Sequence, residues 1–94
     1  MLIHLFPQFT WDPDKDRTNL LKHGIALAAG TALDLATATV LVDQRRDYGE
    51  VRYQAYGPIE DRLHVLVFTV RNRDVRLISL RKANAKEVRR YARG

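Results

Sequence analysis

Apolar residues are sparse from residue 12 to residue 24, dense in the alanine-rich run that follows, and alternating in short runs from residue 39 onward. Between residues 13 and 23 only Leu20 and Leu21 are apolar. Helix-end residues nevertheless bracket that stretch: Asp12 as N-cap, Pro13 at the first helical position, Asp14 in the first turn, Lys22 and His23 in the last turn, and Gly24 as terminator. Lys15, Asn19 and His23, with Lys22 beside them, predict a polar stripe along that helix. Residues 26–36 predict a second helix, alanine-rich and interrupted by Gly30; being apolar nearly all round, it is expected to be well buried.

From residue 39 the β-type pattern takes over. Thr39 to Asp43 is a strand candidate, and Asp47 to Glu50 holds turn residues. Val51 to Tyr56 alternates, with Arg52, Gln54 and Tyr56 on one face. Gly57-Pro58 predicts a turn. Leu63 to Val70 is apolar on both faces apart from His64 and Thr69, as in a covered central strand. Asn72 to Asp74 predicts the next turn, and Val75 to Arg81 the last strand, with Ser79 and Arg81 expected on the face of Val75 and Leu77. Asn84 to Arg93 reads as a basic helix, capped by Asn84 with Glu87 in the reciprocal position. Phe9 to Trp11 is β-prone but short. The expected fold is α+β: two N-terminal helices, a four-stranded mainly antiparallel sheet and a C-terminal helix, in a single domain over residues 1–94.

Composition narrows the chemistry. With no cysteine, disulfide scaffolds, thiolate zinc sites and cysteine nucleophiles are excluded. The three histidines, His4, His23 and His64, are far apart in sequence, so no metal site and no cofactor are expected. The longest apolar stretch is too short to cross a membrane, and the first residues lack the cationic region of a signal peptide, so a cytoplasmic protein is expected. Residues 1–70 carry seven basic and nine acidic side chains, whereas residues 71–94 carry nine basic and two acidic ones. A basic C-terminal stretch dominated by arginine points to a polyanion or an acidic protein partner.

Four blocks of residues resemble one family. Phe9-Thr-Trp11-Asp12-Pro13, running on through Lys15, Asn19 and Lys22-His23-Gly24, resembles the N-terminal signature of the BrnT ribonuclease toxins of type II toxin–antitoxin pairs. Gly49-Glu50-Val-Arg52 with Gly57, Arg62 to Thr69 with Arg71, and Arg76 to Ala83 followed by Lys86-Glu87 and Tyr91 are similar to later blocks of the same family, in the same order. The second helix departs from the family, having Ala26-Leu27-Ala28-Ala29 where a hydroxyl residue and an acidic pair are usual. The resemblance implies a RelE-like fold and a metal-independent endoribonuclease that inhibits translation. It also implies a BrnA-like ribbon-helix-helix antitoxin, a 2:2 heterotetramer, and contact with operator DNA only through that antitoxin.

Metal-free RNA cleavage needs a base for the 2′-hydroxyl, cations for the transition state and an acid for the leaving 5′-oxygen. His23 is the natural proton carrier; at a helix C-terminus its charged form is favoured, which makes an acid role the easier one, and capping free carbonyls is the competing role. His64 reads as a packed core histidine. Glu50 is equally a general base or the partner that orients an arginine. Arg52, Arg62 and Arg81 lie on or at the ends of strands, and each needs an acid or a phosphate. The candidate catalytic residues are therefore His23, Glu50, Arg52, Arg62 and Arg81, and the candidate RNA-binding residues Lys15, Asn19, Lys22, Lys82, Arg89 and Tyr91. A non-catalytic nucleic-acid-binding domain and a protein-interaction module remain as alternatives, since the basic C-terminal third serves either.

Overall fold

The computed structural model describes residues 8–93, so His4 lies outside the described residues. In chain order the elements are β1 (Phe9–Thr10), α1 (Pro13–His23), a 3-10 helix (Leu27–Ala32), β2 (Thr39–Val42), β3 (Tyr53–Ile59), β4 (Arg62–Arg71), β5 (Asp74–Lys82) and α2 (Ala85–Ala92). The strands form one sheet in the order β1-β5-β4-β3-β2. Strands β2 to β5 make the expected antiparallel meander, but β1 adds a parallel fifth strand on the outer edge of β5. The sheet is therefore five-stranded and mixed. Two residues are too few to show a strand by pattern; β1 exists because β5 supplies its bonds, beginning with the Val75 N–H that donates to the Gln8 carbonyl at 2.9 Å.

The ends of α1 are those its sequence predicts. The Asp12 carboxylate accepts from the Asp14 N–H at 2.9 Å, and Gly24, at φ 73°, donates its N–H to the Leu20 carbonyl at 2.8 Å. The second helix differs from expectation: it is 3-10, it covers only Leu27 to Ala32, and it is not buried all round. Leu27, Gly30 and Leu33 are buried whereas Thr31 and Ala32 are exposed. A spacing of three matches the turn of a 3-10 helix, whose residues i and i+3 eclipse. Gly30 lets that face approach the sheet, since a Cβ there would sit 2.9 Å from Leu66 Cδ1. The cap missing at Ala26 is supplied from α1, where the Asp16 carboxylate accepts from the Ala28 N–H at 2.9 Å.

Two further corrections concern the strands. Gly57-Pro58 is not a turn: β3 runs through it to Ile59, and the chain reverses at Glu60-Asp61. Strand β2 ends its pairing at Tyr56, so beyond that point β3 is an edge and proline removes no needed donor. The second correction is a bulge. Val67 pairs with Ser79 but Phe68 pairs with Leu77, leaving Ile78 as an extra residue in β5. Leu80 therefore joins Val75 and Leu77 on the core face, and Ser79 and Arg81 move to the opposite face with Arg76. The core comprises Leu27, Leu33, Ala55, Leu66, Phe68, Val75, Leu77 and Leu80, between the sheet and the 3-10 helix, with Tyr53 stacked on Phe68 at 5.3 Å. Tyr56, Val65 and Ala83 form a smaller cluster on the other face.

Candidate nucleic-acid interface

Strand register places Tyr56, Val65 and Arg81 in one row across the face opposite the core, and Gln54, Val67 and Ser79 in the next. Arg81 would be costly to half-bury unpaired. Its Nη1 and Nη2 donate to the two carboxylate oxygens of Glu87 at 2.7 and 2.8 Å. Glu87 is held in turn by the capping box of α2: the Asn84 N–H donates to Oε1 at 2.9 Å, and the Glu87 N–H donates to Asn84 Oδ1 at 2.8 Å. The Arg81 guanidinium, opposed by burial and helped by the Asn84 N–H, holds the Glu87 carboxyl down at about 2. Burial raises the nearby Tyr56 phenol, and the Glu87 charge adds to that rise.

His23 ends α1 within electrostatic reach of Arg81. Partial burial lowers its pKa first, and the Lys22 and Arg81 cations lower it further. This reverses the expectation from the helix C-terminus: two neighbouring cations and desolvation outweigh the dipole, so the neutral imidazole is favoured. Lys15, Lys22 and His23 line a groove with Thr18, Ile78 and Ser79. Asn19 departs from the predicted solvent-facing stripe, being 5% exposed. Its Nδ2 donates to the carbonyls of Ile25 and Leu80, each at 2.8 Å, and its Oδ1 accepts from the Leu80 N–H at 3.0 Å. The amide continues the edge pairing of β5 where β1 has ended.

A second group lies on the β2–β3 loop. Glu50 bonds to Arg71 Nη2 at 3.0 Å and Arg71 Nε at 3.2 Å, and to Arg52 Nε at 3.4 Å. The Arg71 contact, ahead of that from Arg52, holds its carboxyl below the ordinary range. Glu50 thus bonds to two arginines, and its lowered pKa makes its carboxylate a poorer proton acceptor than a free one. The Arg52 guanidinium stacks over the Tyr48 ring at 4.1 Å. Sequence reasoning missed the arrangement beside it. The buried Asp43 carboxylate accepts from Arg45 Nε at 2.8 Å, Arg45 Nη2 at 2.7 Å and Tyr48 Oη at 3.1 Å. By pattern Asp43 is only the end of a strand candidate, and nothing in its spacing to Arg45 and Tyr48 marks a buried carboxylate.

Arg62 and Lys82 stand apart from both groups. They lie at the start of β4 and the end of β5, in a hollow with Ile25, Ala29 and His64 on the core side of the sheet. The five candidate catalytic residues are therefore not one cluster: His23 ends α1 within electrostatic reach of Arg81, Glu50 bonds to Arg52, and Arg62 lies on the other face. His64 is 4% exposed and its Nδ1 donates to the Arg62 carbonyl at 2.7 Å, as a packed histidine should. Arg89 is exposed on α2, and Tyr91 lines a narrow apolar cleft with Leu41, Tyr56 and Arg90. Among the described residues, no three His, Asp or Glu side chains converge as a metal site, and no helix is long and apolar enough to cross a membrane.

Comparison with known proteins agrees with this architecture. No curated protein matches the chain. The solved structure of the Brucella abortus ribonuclease toxin BrnT is similar in fold, with a TM-score of 0.66 at 24% identity, covering 84% of this chain and 99% of that one. The family model described as the ribonuclease toxin BrnT of type II toxin–antitoxin systems matches residues 11–87. With most of its length inside that match, this chain belongs to the BrnT family of ribonuclease toxins.

Proposed function

We propose that the chain is an endoribonuclease working without a metal, centred on Arg81 and His23. The observation that carries this reading is a rigidly held arginine on the open sheet face, with a neutral-leaning imidazole within its electrostatic reach. In the proposed reaction His23 accepts the 2′-hydroxyl proton as the 2′-oxygen bonds to the adjacent phosphorus. The bond from phosphorus to the 5′-oxygen breaks, and that oxygen takes up one proton, which the imidazolium can supply. The products are a 2′,3′-cyclic phosphate and a 5′-hydroxyl. Arg81 faces the charge that develops on phosphorus, and preplaced cations of this kind supply a large share of catalysis. Glu50 orients Arg52, while Lys15, Lys22, Arg89 and Tyr91 extend the contact with RNA. Asn19 supports the site by fixing α1 to β5, and Arg62 and Lys82 contribute at long range through charge.

The same reading places the protein in the cytoplasm, inhibiting translation until a BrnA-like ribbon-helix-helix antitoxin neutralises it. Toxin and antitoxin then form a 2:2 assembly that touches operator DNA through the antitoxin alone. RelE-like topology fits the meander and its flanking helices. The test is incubation of the purified chain with labelled single-stranded RNA in EDTA. Discrete fragments are expected, with cleavage slowed at least about 100-fold in Arg81→Ala. RNA left intact both in that assay and in a translation extract overturns the proposal in favour of a basic binding domain.

A further inference from the structure

The loop between β2 and β3 is fixed by side-chain hydrogen bonds at its start, middle and end, and the chemistry assigned to Arg81 and His23 does not require it. Asp43 at its start is 5% exposed and spends its carboxylate on Arg45 and Tyr48. Asp47 accepts the Gly49 N–H at 2.9 Å, and Gly49 turns the chain at φ 71°. Val51, at the end of the loop, is tied to the sheet by the Thr69 hydroxyl, which donates to its carbonyl at 2.6 Å. Ordering about ten residues of loop costs on the order of 1 kcal/mol or more for each of them. The result presents Arg45, Arg46 and Arg52 around the Tyr48 ring in one concavity, where Asp47, turned to the Gly49 N–H, is the one acid of the lining.

We propose that this concavity is a phosphate-binding subsite that holds the RNA strand as it approaches Arg81, an inference that rests on RNA being the substrate. Three features carry it. Arg45 meets Asp43 through Nε and Nη2, leaving Nη1 without a hydrogen bond to any other described residue. Its aim is fixed by a buried acid, so a phosphate meets a donor that has little rotamer freedom left to lose. Arg46 reaches the Tyr48 ring at 5.8 Å while Arg52 lies against it at 4.1 Å, so two guanidinium groups are held near one aromatic body. Finally, alternation along β3 carries the face of Tyr56 and Gln54, which strand register shares with Arg81, on to Arg52 at the loop's end, and the Arg45 charge reaches Arg81. Like charges brought together in this way favour a polyanion with regularly spaced charges over a single carboxylate.

The test uses the full chain and an uncleavable 2′-O-methyl RNA oligomer, with binding followed by fluorescence anisotropy across a salt series. One variant is Arg46→Ala, whose side chain is exposed. The other is the pair Asp43→Asn with Arg45→Gln, which removes both charges and leaves no buried carboxylate unpaired; circular dichroism and thermal melting verify its fold. Removing one cation–phosphate pairing on a single strand lowers the slope of log K against log salt by about 0.7. Each variant is expected to show a drop of about that size, with affinity several-fold weaker at low salt. Unchanged affinity and slope in a folded variant overturn the subsite. Polyglutamate, tested in parallel, distinguishes an acidic protein partner: tighter binding of polyglutamate than of RNA, abolished in the same variants, also overturns it. If the oligomer binds through the loop while cleavable RNA stays intact, the subsite stands and the ribonuclease reading fails.

Discussion

Asn19 does with one side-chain amide what a neighbouring strand would otherwise do. It satisfies the N–H and the carbonyl of Leu80 and holds the chain after α1 through the Ile25 carbonyl. Replacing it with alanine leaves buried backbone groups without partners, at about 1–3 kcal/mol for each group. Asn19→Ala is therefore expected to lower stability by about 2–4 kcal/mol, read as a lower urea midpoint with an unchanged m-value. Helical spacing puts Asn19 on the correct side of α1, beside Lys15 and His23, but pattern alone does not show that this side meets the unpaired edge of β5. The charge of His23 is hidden for the same reason. Its position at a helix end is legible, whereas its pKa depends on burial and on Arg81, which is distant in sequence. Since that pKa lies below 6.5, the proton-accepting form grows as pH rises, and the acidic limb of the RNA cleavage profile is expected to have its midpoint below 6.5. Lys22→Ala should move that midpoint up toward 6.5, and His23→Gln should abolish the limb. A limb that survives His23→Gln removes His23 from the chemistry.

Among the elements, α1 and α2 are readable because capping is local. Asp12, Gly24, Asn84 and Glu87 act within a few residues of themselves. The 3-10 helix and the bulge are not, because both answer to the sheet. Alanine-rich sequence favours an α-helix, yet the burial of Leu27, Gly30 and Leu33 needs a repeat of three, and Ile78 has no local mark of being the extra residue. The bulge decides where Arg81 points, since without it this side chain would face the core. Helix α2 buries none of its residues and is fixed to the sheet side of the molecule largely by Glu87 on Arg81. This attachment is pH-dependent. Glu87 falls from 4.5, and Asp43 from 3.8, to about 2 in the fold. Folded-state pKa values below the unfolded ones give stability that is present in full above about pH 4.5. It is lost as pH falls from there toward 2. Thermal melting should show this loss, on the order of 1 kcal/mol for each group after allowance for the solvent-exposed side of each arginine. In Glu87→Gln and Asp43→Asn the dependence should flatten, each by its own share.

At the scale of the whole molecule, the α+β class and the antiparallel meander follow from alternation and short turns. The fifth strand does not, because a parallel pairing between residues 9–10 and 75–76 joins segments far apart in the sequence. The candidate residues are largely legible as a set and poorly legible as an arrangement: sheet register, set by the bulge, separates Arg81 and Arg62 onto opposite faces. The basic C-terminal stretch puts Arg76 and Arg81 of β5 on the open face, with Arg90 of α2 near Tyr56. This arrangement gives the central claim, that RNA is cut by its own 2′-hydroxyl on that face, a direct test. An RNA oligomer cut at a mapped site is compared, in EDTA, with the same oligomer carrying one 2′-deoxynucleotide on the 5′ side of that bond, and fragment masses are measured. The account predicts 2′,3′-cyclic phosphate ends from the first and no cleavage at that bond in the second. Cleavage at the deoxynucleotide, or fragments with linear phosphate from the outset, would contradict it.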